Sequence, residues 1–352
     1  MHFPSSLNLA GFSLSVLTCA LLASCAPAEE AAMPVTPAAA PVVTAAMPAA
    51  PSEVPLVPIR VSGSYWIELS PVITAAYSFY PVQMDVGEGG ITRITSGDAD
   101  MATNAETQLL RETLVNPDLR IIMTVTESFY RLVGRKSAGI ATLADIKGKR
   151  VMLPRNTSAN YYLVAMLASV GPTEADVELV PLPAAEGDQS GMDLMSVALA
   201  RGDVDVISIW EPEPDSAIKE LGDDAIVLQD KSVYREVFNL HSTATALADP
   251  EKRRAIVAFV RAVSDATDAL HANPEPYWPR ISSVTGFSLE EIAAGWPEME
   301  FPVQIIPDML DVLVTEEAWV ANERNRPVRS REELAQFIDY SVLEEALAGK
   351  GN

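Results

Sequence analysis

Three polar residues in a row, Asn156-Thr157-Ser158, stand directly before an apolar-periodic run that starts at Tyr161 and ends near Val170. All three are good N-cap types, so the spacing predicts a helix whose first N–H groups point beyond a preceding strand. Such an end favours negative charge and suits a sulfonate, nitrate or carboxylate group, with plain helix capping as the alternative. Trp210-Glu211-Pro212 closes a second apolar strand. There Trp210 can stack on a planar ligand or a cation, or pack a hinge while Glu211 sits in a salt bridge. Ser64, Tyr65 and Trp66, with Glu68 beyond them, follow the first apolar strand and form either a ligand floor or a cap on the core. Asn104, beside Thr103, precedes another helical run and can contact ligand or cap that helix. Thr126 and Glu127 follow a long apolar strand. A carboxylate at Glu127 would accept hydrogen bonds from an amine or ring N–H, unless it is a solvated hinge residue.

Catalytic signatures are poor. The sequence has no Gly-x-Ser-x-Gly, no Gly-x-x-x-x-Gly-Lys, no His-Glu-x-x-His and no paired-cysteine metal pattern. Ser216-Ala-Ile-Lys219 matches Ser-x-x-Lys without a companion motif. With only three histidines, His2, His241 and His271, little remains for acid–base or zinc chemistry. No enzyme activity, cofactor or metal is expected. The formal charge of −23 argues against a nucleic-acid partner and reads as a solvated surface.

These candidate residues need a scaffold to bring them together. Short strands alternate with helices from Val57 onward, which predicts α/β architecture with largely parallel pairing. A helix is expected over 71–80, a strand over 82–86 with a turn at 87–90, and a strand over 119–125. A long amphipathic helix is expected from Asp249 to Ala272, because Ile256, Phe259, Val260, Val263, Ala266 and Leu270 recur at helical spacing. In a two-lobed α/β protein the ligand lies beyond the carboxyl ends of the strands, between the lobes.

The N-terminus reads as an export signal. Phe12 to Ser24 is apolar or small, too short to span a membrane, and ends in Leu22-Ala-Ser-Cys25. That tetrapeptide resembles the bacterial lipobox, which implies a signal peptide over 1–24 and lipid on Cys25; an ordinary signal peptide containing cysteine is the alternative. The stretch from 25 to 57 is dominated by Ala and Pro and reads as a tether. A lipid plus a tether gives a chain anchored to the outer side of a bacterial membrane without spanning it.

Further motifs carry a resemblance. Asp145-Ile-Lys-Gly-Lys149 precedes a strand and the helix after Asn156, and Gly202-Asp-Val-Asp205 leads to Trp210-Glu-Pro212. An earlier Ser96-Gly-Asp-Ala-Asp-Met101 looks like a first-lobe counterpart. In this order and spacing, over roughly residues 59 to 274, the chain resembles the solute-binding proteins of ABC importers. The resemblance is to the nitrate/sulfonate/taurine class, which includes thiamine-pyrimidine binders. It implies a two-lobed type II periplasmic-binding-protein-like fold, with lobe I over 58–133, lobe II over 134–232 and a return to lobe I with C-terminal helices over 233–352. It also implies a monomer that takes a small-molecule solute in its cleft and presents it to an ABC permease. A small sulfonate, nitrate-like or carboxylate anion at Asn156–Ser158 is the expected ligand, with a planar nitrogen heterocycle or amine as the alternative. A sensory or scaffold lipoprotein on the same fold is the other class of function.

Overall fold

The computed structural model describes residues 55–82, 84–185, 190–348 and 350. The expected signal peptide, Cys25 and the Ala/Pro-rich stretch up to residue 54 lie outside the described residues.

Two sheets organise the chain. The first contains β1 (Val61–Gly63), β2 (Val86–Glu88), β3 (Met101–Ala105), β4 (Leu119–Ser128), β10 (Glu236–Thr243) and β11 (Met299–Glu300), in the spatial order β11-β4-β10-β3-β1-β2. The second contains β5 (Arg131–Arg135), β6 (Arg150–Met152), β7 (Glu178–Val180), β8 (Val206–Ile209) and β9 (Ala225–Leu228), in the order β7-β6-β8-β5-β9. β4 passes into β5 through Phe129 and Tyr130 alone, so one crossing between the sheets is very short. The second crossing runs from β9 to β10.

Pairing is mixed rather than largely parallel. β1 pairs parallel with β2 and β3, and β6 with β7 and β8. The crossing strands run the other way: β10 is antiparallel to β3 and β4, and β5 to β8 and β9. Parallel neighbours follow from helical crossovers within a lobe, whereas a strand entering or leaving a lobe carries no such crossover.

Apolar periodicity accounts for the cores. The helix Pro250–Ala272 starts on Asp249, whose carboxylate caps Glu251 and Lys252 N–H. All six residues expected on its apolar face are buried, packed against Leu69, Val72, Ile73 and the first sheet's Leu240. The second sheet is covered on both faces. Ala159, Leu163 and Leu167 of the helix Ser158–Val170 pack on one side, and Met195, Leu199 and Ala217 on the other. The expected helix over 71–80 is a helix at Ser70–Thr74 that widens into a π-turn over Ala75–Phe79. β2 begins where the expected strand ends and includes Gly87 and Glu88, which read as a turn in the sequence. No helix among the described residues is long and apolar enough to cross a membrane.

Candidate functional site

A cleft of about 450 Å³ opens where the two sheets face each other, a size that suits a small organic solute. Its floor begins at the end of β1. Gly63 is needed there because a Cβ would stand 2.3 Å from Leu69 Cδ1 and 2.6 Å from Thr103 Oγ1. The chain then turns through Ser64 and Trp66 into a short helical turn, Ile67–Leu69, placing Ser64, Trp66 and Glu68 in the wall. Asn104, at the end of β3, lines the same wall and accepts from the Ala105 N–H through its own Oδ1. Gly90 permits this position, since a Cβ there would meet Asn104 Nδ2 at 2.2 Å.

The opposite wall is Pro154 to Ser158 with Met192 and Trp210. The helix starts at Ser158 with Thr157 as N-cap, but no side chain caps its first turn. Thr157 Oγ1 instead donates to the Pro154 carbonyl at 2.7 Å. Asn156 adopts a left-handed φ of 61°, a conformation that Asn tolerates better than most residues. Its carbonyl accepts from Gln108 Nε2 of the first lobe at 2.9 Å. Trp66 and Trp210, one from each lobe, meet edge to face with centroids 5.3 Å apart, and Phe287 backs Trp66 at 5.6 Å. The indole N–H of Trp210 is buried without an acceptor among the described residues.

Eight of the residues singled out in the sequence therefore share one cleft: Ser64, Trp66, Glu68, Asn104, Asn156, Thr157, Ser158 and Trp210. Four do not line it. Tyr65 turns back into the first lobe and donates to the Val86 carbonyl at 2.7 Å. Thr126 is fully buried and donates to the Glu68 carbonyl at 2.7 Å, so it holds the floor turn from beneath. Glu127 is paired with Arg235 and borders a separate cavity beside Trp296 and Phe301. Glu211 is buried and accepts from Arg131 Nε at 2.7 Å. Burial pushes its carboxyl up to about 7 although the guanidinium pulls it down. His241 is buried with Nδ1 at 3.2 Å from the Ala102 carbonyl, and burial lowers it to about 4, consistent with a structural place.

Two carboxyls stand out in the cleft wall, Glu68 and Glu236, 2% and 4% exposed. Ser128 donates to Glu68 Oε1 at 3.4 Å, and Ser158 donates to Glu236 Oε1 at 3.3 Å. The Ser158 hydroxyl is also 2.9 Å from Tyr130 OH. The second oxygen of each carboxyl is buried and has no hydrogen-bond partner among the described residues. Burial pushes Glu68 up to about 8, with Glu211 adding to the rise. Glu236 is driven up by burial and then by Glu68 and Glu106. Glu236 went unnoticed in the sequence. Its signal is the two-residue alternation that puts it on the same strand face as Phe238, another cleft residue.

Two α/β lobes joined by crossing strands around such a cleft define the periplasmic-binding-protein fold. Solved structures of that fold are similar to this chain at low identity. The periplasmic aliphatic sulphonate binding protein SsuA from Escherichia coli is 15% identical, with a TM-score of 0.63 over 80% of this chain and 96% of its own. A ligand-binding component of an ABC-type import system from Staphylococcus aureus is 12% identical, with a TM-score of 0.64 over 82% and 98%. The desulfurization enzyme DSZB, in a mutant form complexed with biphenyl-2-sulfinic acid, is 17% identical, with a TM-score of 0.59 over 82% and 99%. One fold thus serves binding proteins and an enzyme, and function must be argued from the cleft. No curated protein matches the chain in sequence. The family model described as NMT1/THI5 like matches residues 83–276, more than half of the 352-residue chain. The chain belongs to the NMT1/THI5-like family.

Proposed function

We propose that this protein is a lipid-anchored extracytoplasmic receptor that captures a small solute between its lobes and presents it to an ABC permease, without turning it over. The observation that carries this reading is the Trp66–Trp210 contact in the lining of a cleft built from both lobes. A solute seated there touches both lobes at once, so it binds the closed form better than the open one and shifts the balance between them. The Gln108–Asn156 hydrogen bond and the Lys219–Glu290 ion pair, at 3.0 Å, are further contacts from lobe to lobe.

Two ligand classes have support in the cleft. The uncapped first turn at Ser158 favours a sulfonate or carboxylate. The free oxygens of Glu68 and Glu236 favour an amine or a nitrogen heterocycle. Trp210 marks the site for either. Titration of the purified protein with a solute panel, followed by tryptophan fluorescence, should show saturable quenching that Trp210→Ala removes. A panel that leaves the fluorescence of the folded protein unchanged would count against the receptor reading.

A further inference from the structure

The buried carboxyls decide between the two ligand classes, on the footing that the cleft is a solute site at all. We propose that Glu68 and Glu236 form a subsite for a positively charged nitrogen, an ammonium or amidinium group carried on a planar or apolar body that rests against Trp66 and Trp210.

Three observations support it. First, both carboxyls line the cleft, both are more than nine-tenths buried, and each leaves one oxygen without a partner among the described residues. Buried polar groups in native structures are normally satisfied, and a nitrogen donor seated against this wall would satisfy both oxygens once the carboxyls ionise. Second, the titratable groups around the cleft are almost all acids. Glu106 and Glu316 are buried behind Glu236 and act on one another and on it. Arg155 is the one cation lining the cleft among the described residues, and it is exposed. Third, the helix end that would hold an anion already faces a protein carboxyl. Ser158, its first residue, donates to Glu236. An anion entering there would meet Glu236 before it met the helix, and would push that carboxyl further towards its uncharged form instead of finding an opposite charge. A cation would draw these carboxyls into their ionised form, with release of their protons, and would then be held by charge-assisted hydrogen bonds while the aromatic pair packs the rest of the molecule.

Three probes of one shape and different charge test this: benzamidinium, neutral benzamide and benzenesulfonate, titrated calorimetrically into the full chain and into E68Q and E236Q. Benzamidinium should bind, benzamide more weakly, and benzenesulfonate weakest of the three. Each Gln variant should weaken benzamidinium by about thirtyfold, as expected when one member of a buried charged pair is removed, and leave benzamide nearly unchanged. Both variants keep the side-chain shape, and an unfolding midpoint at or above that of the parent shows that they fold. Should either variant fail to fold, the order of the three probes on the parent protein decides alone. Benzenesulfonate binding more tightly than benzamidinium, in a manner abolished by Trp210→Ala, overturns the cation subsite and leaves the receptor reading standing. Failure of benzamidinium to bind at its solubility limit also overturns the subsite, while the receptor reading rests on the wider solute panel.

Discussion

At the scale of single residues, the cleft is a small set of aromatic and polar side chains that act only because neighbours hold them. Trp210 offers an indole face and a free N–H, and it is braced by Trp66 at 5.3 Å and Tyr130 at 6.2 Å. Replacing Trp210 with Ala should raise the dissociation constant of the bound solute by about thirtyfold, roughly 2 kcal/mol, which titration calorimetry would measure. Glu68 makes a prediction about stability. Its folded-state value of about 8 lies above the ordinary 4.5, so the folded chain holds this proton where the unfolded chain has released it. The stability that Glu68 contributes is fully present below 4.5 and is lost as pH rises towards about 8. The charged and titratable groups acting with it are Glu211, Glu236 and Tyr130. Urea unfolding should therefore show stability falling between pH 5 and pH 8, and E68Q should flatten that fall. An equally steep fall in E68Q would place the effect elsewhere.

Residue types flagged in the sequence were informative where local geometry is enough. Some polar residues before a helix and some aromatics after a strand end reach the cleft through local geometry, as Asn156 to Ser158, Trp66 and Trp210 do. Glu127, Glu211 and Tyr65 end elsewhere because their partners Arg235, Arg131 and the Val86 carbonyl come from distant parts of the chain. Glu236 was hidden for a related reason, since its direction depends on the register of β10 against β4.

At the scale of elements, the crossing strands do most to build the site. β4 delivers Thr126 and Ser128 beneath the floor turn, and β10 delivers Glu236 and Phe238 beside it. Their antiparallel pairing, with register shifts at Phe238/Asn239 and Leu240/His241, is not written in hydrophobic periodicity, which gives strand positions but not partners. The long helix was legible because a capping Asp and six apolar positions at one spacing leave little choice. The π-turn at Ala75–Phe79 was not, since apolar spacing does not distinguish a π-turn from an α-turn. Gly63 tests how far the floor depends on β1. Gly63→Ala should cost about 1–3 kcal/mol in urea unfolding, because Leu69 and Thr103 are fully buried and have nowhere to move. It should also weaken solute binding, as the turn carrying Trp66 shifts. Unchanged stability would mean that the turn adapts more easily than its packing implies.

At the scale of the whole molecule, two lobes with separate cores meet over the cleft, and closure is the event that solute binding would drive. The first sheet's core is one large cluster, whereas the second sheet is clothed by two smaller ones. The lobes are joined by the short crossing at Phe129 and Tyr130 and the longer one before β10. Gly295 lets a C-terminal helix approach the second lobe, since a Cβ there would stand 3.0 Å from Glu211 Cβ. Anchoring belongs to the same scale. If Cys25 carries lipid, Cys25→Ser should move the protein from the membrane fraction to the soluble extract of the cell envelope, as read by immunoblotting. Retention in the membrane fraction would mean another anchor.

The most direct test of the solute-receptor reading is thermal unfolding of the protein against a panel of sulfonates, carboxylates, nitrate, amines, amidines and pyrimidines, with Trp210→Ala in parallel. A solute at about a hundred times its dissociation constant adds about 2.7 kcal/mol of stability, an easily seen rise in midpoint. Such a rise is expected for one chemical class, led by the nitrogen cations, and at the same concentration a thirtyfold weaker Trp210→Ala should keep only about 0.9 kcal/mol of it. A well-folded, ligand-free protein whose midpoint moves with no class of solute would contradict the solute-receptor reading.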